Sequence, residues 1–409
     1  MRIALATVGT AGDARPFAAL ARALAEAGHD VTAIAWNLHA PTFAESGATF
    51  VAAGPSTTEE DVRRTAAAAA AARSPLDQVG VLRDLHLRDG AAHHAQLREV
   101  LRGHEAAVIH GIHALAVAAA RDEGLRHATV TFDPVLLPTR TAPPAGMPSL
   151  GPLNGLAWWM LDRALAPHDR ALAGLLAAAG STSTGQHLFR DRSPLLHLVA
   201  VSPAIAPPAP DLPSSVAVTG AWTDAGPPRP LPRPLKAFLA AGPPPVVVSF
   251  GSMALGDGAA LAEKVRDAIA AAGMRGVVQA GASGLHGTSD DRVLFIGEAD
   301  HRALLPRAGV VIHHGGSGTS HAAARAGVPQ VVVPHVGDQR FWAARLHALG
   351  VAPAPLPATR LTGALLAERL REAGADAVGR AATALAARIA TENGTATAMR
   401  LIAERLALR

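Results

Sequence analysis

The chain of 409 residues contains no cysteine and no tyrosine, and these absences exclude several classes of protein. Without cysteine it can form neither disulfides nor thiolate metal sites. Aromatic residues make up only 3% of the sequence, which argues against stacking surfaces for single-stranded nucleic acid. Lysine occurs only as Lys236 and Lys264, and the net basic excess is 37 − 33 = 4. Because the arginines are scattered, nucleic acid is not an expected partner.

Long uninterrupted apolar runs are also missing. The apolar segment at residues 1–9 is too short for a secretory signal and reaches Asp13 without a cleavage pattern. Every uncharged run that could approach the width of a bilayer is interrupted by proline. We therefore expect a cytoplasmic protein without a transmembrane segment. Hydrophobic residues nevertheless make up 49% of the chain, and its length predicts two or three domains.

A glycine-rich turn is the most informative feature of the sequence. The apolar run 310–312 is followed by His313, His314 and the sequence Gly-Gly-Ser-Gly at 315–318, and then by an alanine-rich helical pattern. Glycines allow close approach of the backbone to a ligand. A helix that begins there presents unpaired N–H groups and a partial charge of about +0.5. The pattern predicts a phosphate site, although glycine motifs this short often occur without one.

The residues that follow make the pattern more specific. They are Gly327-Val-Pro329, an apolar strand at 330–334, and Gly337-Asp338-Gln339. The run resembles the donor-binding signature of nucleotide-sugar-dependent glycosyltransferases of the GT-B type, especially bacterial antibiotic (macrolide and glycopeptide) and sterol glycosyltransferases. The spacing matches without a gap when His314, rather than His313, takes the place of the signature histidine. The resemblance implies an α/β fold in which two Rossmann-like domains face each other across a cleft.

The first 35 residues predict a βαβ unit. A strand at 3–8 is followed by a loop at 9–16, a helix and a second strand at 29–35. Gly9 and Gly12 do not complete the dinucleotide fingerprint, which argues against a dehydrogenase. In the resembling family Asp13 occupies the place of the proposed catalytic base. By itself, an aspartate in this loop would be interpreted as an Asx-turn or helix cap before Pro16.

The domain organisation follows from two further patterns. The succession of strand, loop, alanine-rich helix and strand at 106–134 parallels that at 310–334, as two similar half-molecules would produce; chance in an alanine-rich chain is the alternative. We predict an acceptor-binding domain at 1–205, a proline-rich connector at 206–243, a nucleotide-sugar-binding domain at 244–390, and a helix within 391–409 that crosses back to the first domain.

The resemblance also implies the remaining site residues. Those expected at the donor diphosphate are Thr10, Gly12, Ser252, His314, Gly316, Ser317, Gly318 and Thr319. We expect Asp338 and Gln339 at the donor sugar, Ile296 and Glu298 at the nucleobase, and His86 and Phe132 at the acceptor.

No metal ion or other cofactor is expected, since the nucleotide sugar is itself a co-substrate. The sequence has no Asp-x-Asp pair of the kind that binds a metal in other transferases. His86, His93 and His94 could share a helix face, but the pattern supplies no carboxylate partner. Exposed or hydrogen-bonded histidines are therefore the favoured interpretation.

The implied activity is inverting, metal-independent transfer of a hexosyl or deoxyhexosyl group to a small, largely apolar natural product, as in antibiotic biosynthesis. Plant relatives place a glutamate that binds the ribose eight residues after the signature histidine, where this chain has Ala322. The missing acceptor removes a reason to prefer UDP, so we expect a dTDP-sugar to be favoured slightly over a UDP-sugar. Two alternatives stay open: another GT-B chemistry such as nucleotide-sugar epimerisation, and a non-catalytic nucleotide-sugar-binding partner protein.

Overall fold

A computed structural model describes residues 1–72, 74–144, 147, 149–251, 257–280 and 284–406. The chain divides into two compact units. The first consists of Met1–Ala225 with Asn393–Arg409, and the second of Gly226–Glu392. Each unit contains its own parallel sheet. The predicted α/β class with two parallel-sheet domains is thus confirmed.

The sheet of the first unit has seven strands in the order β3-β2-β1-β4-β5-β6-β7. The strands are β1 (Arg2–Ala6), β2 (Asp30–Ala35), β3 (Thr49–Ala52), β4 (Ala106–His110), β5 (His127–Thr131), β6 (His197–Val199) and β7 (Val216–Val218). Alternate residues of a strand point to opposite faces of the sheet. Accordingly, Ile3 and Leu5 enter one hydrophobic cluster, whereas Ala4 and Ala6 enter another.

The helices of the first unit cover this sheet. They are α1 (Ala11–Glu26), α2 (Ala40–Phe43), α3 (Glu59–Ala71), α4 (Pro75–His86), α5 (Gly90–Leu101), α6 (Ala114–Asp122), α7 (Asn154–Ala178) and α15 (Gly394–Arg405), which packs against α1. None of the helices in the described ranges is long and apolar enough to cross a membrane. Trp158 is buried in α7, whereas Trp159 in the same helix is 55% exposed.

Helix α1 begins five residues before the predicted position at Pro16. Thr10 caps its N-terminus, with its side chain paired to the backbone of Asp13 and the side chain of Asp13 paired to the backbone of Thr10. This reciprocal capping box satisfies two helix-end donors. Asp13 therefore lies in the first turn of a helix and not in a loop, and Pro16 lies inside that helix.

The sheet of the second unit has five strands in the order β10-β9-β8-β11-β12, all parallel. The strands are β8 (Val246–Ser249), β9 (Gly276–Gln279), β10 (Val293–Ile296), β11 (Val310–His313) and β12 (Gln330–Val332). The strand order reverses between β8 and β11, as it does between β1 and β4 in the first unit. Ligands of open α/β sheets bind beyond the carboxyl ends of the strands at such a switch point.

The helices of the second unit are α8 (Arg233–Ala240), α9 (Gly258–Ala271), α10 (His301–Leu304), α11 (Ser317–Arg325), α12 (Gln339–Ala348), α13 (Gly363–Ala373) and α14 (Asp376–Ile389). Short 3-10 turns lie at Asn37–His39, Gly151–Leu153, Leu305–Arg307 and Ala358–Arg360.

The stretch 206–243 is more than the predicted connector. It contains β7, which pairs with β6 in the first unit, and α8 of the second unit, and the division between the units falls at Ala225. Prolines are absent from the short paired segment of β7, and Pro234 sits in the first turn of α8, where a missing N–H is tolerated. The many prolines of this stretch are therefore compatible with regular structure at both places.

Candidate active site

The carboxylate of Asp13 uses one of its two oxygens to hold the local structure. Its Oδ2 accepts hydrogen bonds from the backbone N–H of Thr10 at 2.7 Å and from the Thr10 hydroxyl at 3.0 Å. Gly9 adopts a φ of +110°, and a Cβ there would lie 2.4 Å from this oxygen. Only glycine fits this approach. The first loop thus fixes the Asp13 side chain before any ligand arrives.

The other oxygen of Asp13 points toward the end of β4. Oδ1 lies 4.0 Å from Nε2 of His110, and the Asp13 side chain keeps 26% of its surface exposed. Burial raises the pKa of Asp13, against the hydrogen bonds from Thr10 and the nearby His39 and His86, which lower it. A carboxylate with a raised pKa is a stronger base once it is ionised.

His110 is buried and neutral. Burial lowers its pKa to about 3, and its Nδ1 lies 3.3 Å from the hydroxyl of Thr7. The rings of Phe17 and Phe132 pack against it at centroid distances of 6.0 Å and 5.0 Å. His110 therefore places the polar ring nitrogen of an uncharged imidazole near the Asp13 carboxylate.

A second carboxylate, Asp133, follows the adjacent strand β5. Burial and, to a smaller extent, the negative charge of Asp13 raise its pKa to about 6, while the backbone N–H of Val135, which donates to its Oδ1 at 2.9 Å, opposes the shift. Sequence reasoning missed both Asp133 and His110. Their signal was their position at the carboxyl ends of neighbouring parallel strands.

The two predicted acceptor residues lie in the first unit. Burial lowers the pKa of His86, and the negative charge of Asp13 offsets only part of this shift. The His86 ring packs against Trp36 and Phe189 at centroid distances of 5.6 Å and 5.1 Å. Phe132 contacts His110 as described and is 9% exposed. Both predicted residues thus lie next to aromatic side chains in the unit that contains Asp13.

The two neighbouring histidines of α5 belong to the core of the first unit. His93 and His94 are buried; His94 lies 3.0 Å from Asp122, and the His93 ring packs on His113. Within the described ranges, no group of three or more histidine, aspartate or glutamate side chains is arranged to hold a metal ion.

Thr10 and Gly12 have partners inside the first turn. The hydroxyl of Thr10 bonds to Asp13, and the N–H of Gly12 bonds to that hydroxyl at 3.2 Å. Their contact with a donor diphosphate stays a prediction, and it would have to replace or extend the capping interactions.

In the second unit, the glycine turn separates two histidines with different surroundings. His313 is fully buried at the end of β11, and its Nε2 lies 2.9 Å from Oε1 of Gln330. His314 lies in the turn, partly exposed. A Cβ on Gly316 would lie 2.3 Å from Nε2 of His314, so glycine at this position is needed for the ring to lie over the turn. His314, and not His313, is therefore the histidine that a ligand at the turn would meet.

Electrostatically, His314 offers a hydrogen bond but no positive charge. Burial and, to a smaller extent, the neighbouring His313 and His335 lower its pKa to about 3. Within the described part of the chain, its Nδ1 is buried without a hydrogen-bond partner. A neutral histidine carries one N–H donor, so this ring can donate to a phosphate oxygen.

Helix α11 starts at the same turn without a side-chain cap in the described structure. Gly316 occupies the N-cap position, and Ser317, Gly318 and Thr319 form the first turn. Their N–H groups lack intrahelical partners and carry the positive end of the helix dipole. Together with His314, they are the candidate anion site that the sequence predicts at the carboxyl end of β11. Ser252, the remaining predicted diphosphate residue, lies outside the described residues.

The predicted sugar-binding pair follows β12. The carboxylate of Asp338 accepts a hydrogen bond from Nε1 of Trp342 at 2.9 Å. The side-chain oxygen of Gln339 accepts from the backbone N–H groups of His335 and Val336 at 2.7 Å and 3.1 Å. Because two bonds saturate an amide oxygen, only the amide N–H groups of Gln339 can serve a sugar.

The predicted nucleobase residues flank the end of β10. Ile296 is the last residue of that strand and is half-buried, whereas Glu298 in the following turn is exposed. A polar cluster that sequence reasoning missed lies beside Ile296, because Gln279 of β9 is its partner in the sheet. Nε2 of His301 is 2.9 Å from Oε1 of Gln279 and 3.3 Å from the hydroxyl of Ser249, and the amide of Gln279 donates to the carbonyl of Ala299 at 3.1 Å.

Comparison with known proteins identifies the family of this chain. Residues 278–407 match the model of the erythromycin biosynthesis protein CIII-like C-terminal domain. The chain is 35% identical to vancomycin aglycone glucosyltransferase from Amycolatopsis orientalis over 98% of this chain and 97% of that protein. It is 34% identical to O-mycaminosyltylonolide 6-deoxyallosyltransferase from Streptomyces fradiae over 99% of this chain and 97% of that one.

Solved structures show the same fold. The kitacinnamycin glycosyltransferase superposes with a TM-score of 0.72 at 22% identity, covering 99% of this chain and 98% of its own. The glycosyltransferase VinC in complex with dTDP superposes with a TM-score of 0.68 at 23% identity, covering 100% and 99%. Both similarities extend over the two units and their parallel sheets. The fold, the full-length sequence identity and the matched C-terminal region show that this chain belongs to the GT-B family of antibiotic glycosyltransferases.

Proposed function

We propose that this protein is an inverting, metal-independent glycosyltransferase that moves a hexosyl or deoxyhexosyl group from a nucleoside diphosphate to a hydroxyl of a small, largely apolar natural product. The proposal rests on the different surroundings of the two carboxylate oxygens of Asp13. Oδ2 is held by Thr10, while Oδ1 lies on the side of His110 and the carboxylate stays partly exposed.

Asp13 acts as the general base. As the acceptor oxygen forms its bond to the anomeric carbon, its proton passes to the Asp13 carboxylate. The bond from that carbon to the phosphate oxygen breaks on the opposite face, which inverts the configuration. A positioned general base contributes typically about 10²- to 10⁴-fold to the rate. Because Thr10 fixes the carboxylate in advance, little reorganisation is needed in the transition state.

The departing diphosphate is stabilised by the second unit. The electron pair of the broken bond adds negative charge to the phosphate oxygens, which the N–H groups of Ser317, Gly318 and Thr319 and the neutral ring of His314 meet with fixed donors. Removing one such donor typically costs about 3 kcal/mol. This fixed set of donors takes the part that a divalent cation plays in other transferases.

The nature of the acceptor is supported by aromatic rings of the first unit and by the relatives. Phe132 packs against His110, and Trp36 and Phe189 pack against His86, all on the unit that carries the base. The two relatives of similar length act on vancomycin aglycone and O-mycaminosyltylonolide.

The preferred donor is a dTDP-sugar, with a UDP-sugar as the second candidate. Ala322 has no side-chain acceptor for a ribose hydroxyl, and a site without that acceptor has less means to reject a 2′-deoxyribose. A solved structure of the same fold holds dTDP. We place the base near Ile296 and Glu298, and the sugar near Asp338 and Gln339.

The proposal is tested by measuring nucleoside diphosphate release with and without acceptor. The protein is first screened against dTDP and UDP by thermal unfolding, since a ligand at about 100 times its Kd adds roughly 2.7 kcal/mol of stability. We then expect release from the matching nucleotide sugar only when an alcohol or phenol acceptor is present. Sugar isomerisation without an acceptor would indicate an epimerase instead, and binding without a single turnover would indicate a non-catalytic partner protein.

A further inference from the structure

Trp342 of the second unit is hydrogen-bonded to Asp338, one of the two predicted sugar-binding residues. It is fully buried in α12, and its Nε1–H donates to Oδ2 of Asp338 at 2.9 Å. Asp338 immediately precedes this helix and is only partly exposed. A hydrogen bond from a rigid indole fixes the direction in which the remaining lone pairs of the carboxylate point.

Trp342 also contacts helix α11, whose first turn is proposed to bind the diphosphate. The ring of Trp342 meets that of His321 edge to face, with centroids 4.9 Å apart. Nδ1 of His321 lies 2.7 Å from the carbonyl oxygen of Ser317, in the first turn of α11. Burial lowers the pKa of His321 to about 4, so the ring is neutral at pH 7. Since a carbonyl can only accept, Nδ1 carries the proton.

Together these contacts form one continuous path. It runs from Ser317, at the anion site, through the rings of His321 and Trp342 to the carboxylate of Asp338. In a nucleotide sugar, the sugar and the diphosphate are joined by a single glycosidic oxygen. A site that binds both must therefore hold its phosphate donors and its sugar acceptor at a fixed separation.

We propose that Trp342 is a positioning residue for donor-sugar recognition. It orients the Asp338 carboxylate toward the sugar hydroxyls and sets its distance from the first turn of α11 through His321. The inference rests on the proposed function, in which Asp338 binds the sugar and α11 binds the diphosphate. It assigns sugar discrimination in part to a residue that does not touch the sugar.

The test compares two ligands in one variant. Trp342→Phe removes the N–H and keeps an aromatic ring beside His321. Calorimetric titration with the nucleoside diphosphate alone, and with the corresponding nucleotide sugar, separates the sugar contribution from the phosphate contribution. We expect the affinity for the nucleotide sugar to fall about tenfold, as for loss of one hydrogen bond to a charged group, while that for the diphosphate changes less than about twofold. KM for the donor should rise accordingly.

Trp158→Phe is the matched control. Trp158 is also buried, and its Nε1–H donates to the carbonyl of Ala142 at 2.9 Å in the first unit. This variant should leave the ratio of the two affinities unchanged. Because both titrations use the same folded population, the ratio is informative even when a variant is less stable. Equal losses for both ligands in Trp342→Phe, or no loss for either, would overturn the inference.

A second comparison tests whether Trp342 acts through Asp338. In an Asp338→Ala background, Trp342→Phe should have no further effect on nucleotide-sugar affinity, because the carboxylate it orients is gone. Additive losses would contradict the proposed path. If the parent protein binds neither nucleotide, the proposed function fails; if it binds both and only the selective loss is missing, the positioning role alone fails.

His321 provides the complementary pattern. His321→Leu removes the donor to Ser317 and should weaken diphosphate and nucleotide sugar by the same factor, since it loosens the first turn of α11. His321→Asn keeps an N–H near the position of Nδ1 and should recover most of the diphosphate affinity. A selective loss for the sugar in His321→Leu, or no recovery in His321→Asn, would show that His321 does not position the helix.

Discussion

Replacement of Asp13 by asparagine tests the proposed base most directly. The side-chain oxygen of asparagine can still accept from the backbone N–H and the hydroxyl of Thr10, which now bond to Oδ2 at 2.7 Å and 3.0 Å. The first turn of α1 should therefore keep its structure, while basicity is lost. We expect kcat to fall about 10²- to 10⁴-fold, which corresponds to about 3 to 5 kcal/mol in the activation barrier.

The chain contains its own control for the structural part of this change. Thr58 and Asp61 form the same capping box at the start of α3, with Oδ2 of Asp61 accepting from the N–H of Thr58 at 3.0 Å and from its hydroxyl at 2.7 Å. Asp61→Asn makes the same chemical substitution in the same local motif. We expect it to leave kcat within about twofold of the parent, since Asp61 has no part in the proposed chemistry.

The assay follows transfer to an aliphatic alcohol acceptor that the parent protein uses, with donor binding measured separately. A strongly acidic phenol is unsuitable, because it can ionise without a base. For the parent, kcat/KM should decline toward acidic pH as Asp13 is protonated, at a pH above the ordinary pKa of an aspartate because burial raises its pKa. Turnover of Asp13→Asn within a few-fold of the parent, or an equal loss in Asp61→Asn, would refute the reasoning.

Four further outcomes are expected. His314→Ala should weaken nucleoside diphosphate binding about tenfold or more in calorimetry, because His314 lies over the turn. His313→Ala removes a buried partner of Gln330 and should lower the unfolding midpoint instead. The reverse pattern would contradict the assignment of His314 as the diphosphate-binding histidine. Activity should persist in excess chelator, whereas complete loss restored by magnesium would contradict the role of the α11 terminus. Calorimetry should find dTDP bound at least as tightly as UDP; UDP tighter by tenfold, about 1.4 kcal/mol, would refute the inference from Ala322. Asp133→Asn should raise the unfolding midpoint at pH 8 and lose this advantage toward pH 4: burial raises the pKa of Asp133 to about 6, so ionisation destabilises the fold above that pH and not below the unfolded-state pKa. An advantage that grows toward acid would show the opposite sign.

Local patterns together with the family resemblance predicted the architecture. Apolar strands followed by small-residue turns and alanine-rich helices predicted the α/β elements, and the family resemblance implied that they form two Rossmann-like domains. The repeated pattern at 106–134 and 310–334 has a structural counterpart. Strand β4 stands beside β1 as β11 stands beside β8, and β5 follows β4 as β12 follows β11. The pattern was visible because strands buried on both faces are short continuous apolar runs. The first residue of a helix was harder to predict. Because Thr10 and Asp13 form a capping box, α1 begins before Pro16.

The sequence by itself also predicted which local motif could bind phosphate, because glycine conformation and helix-end donors are properties of neighbouring residues. Only the tertiary structure decided which distant side chains complete each site. His110 and Asp133 come near Asp13 because parallel strands end at one edge of a sheet, and Trp342 meets His321 because two helices pack. These contacts join residues far apart in the chain, and the pKa shifts that follow from their burial depend on the whole packed unit.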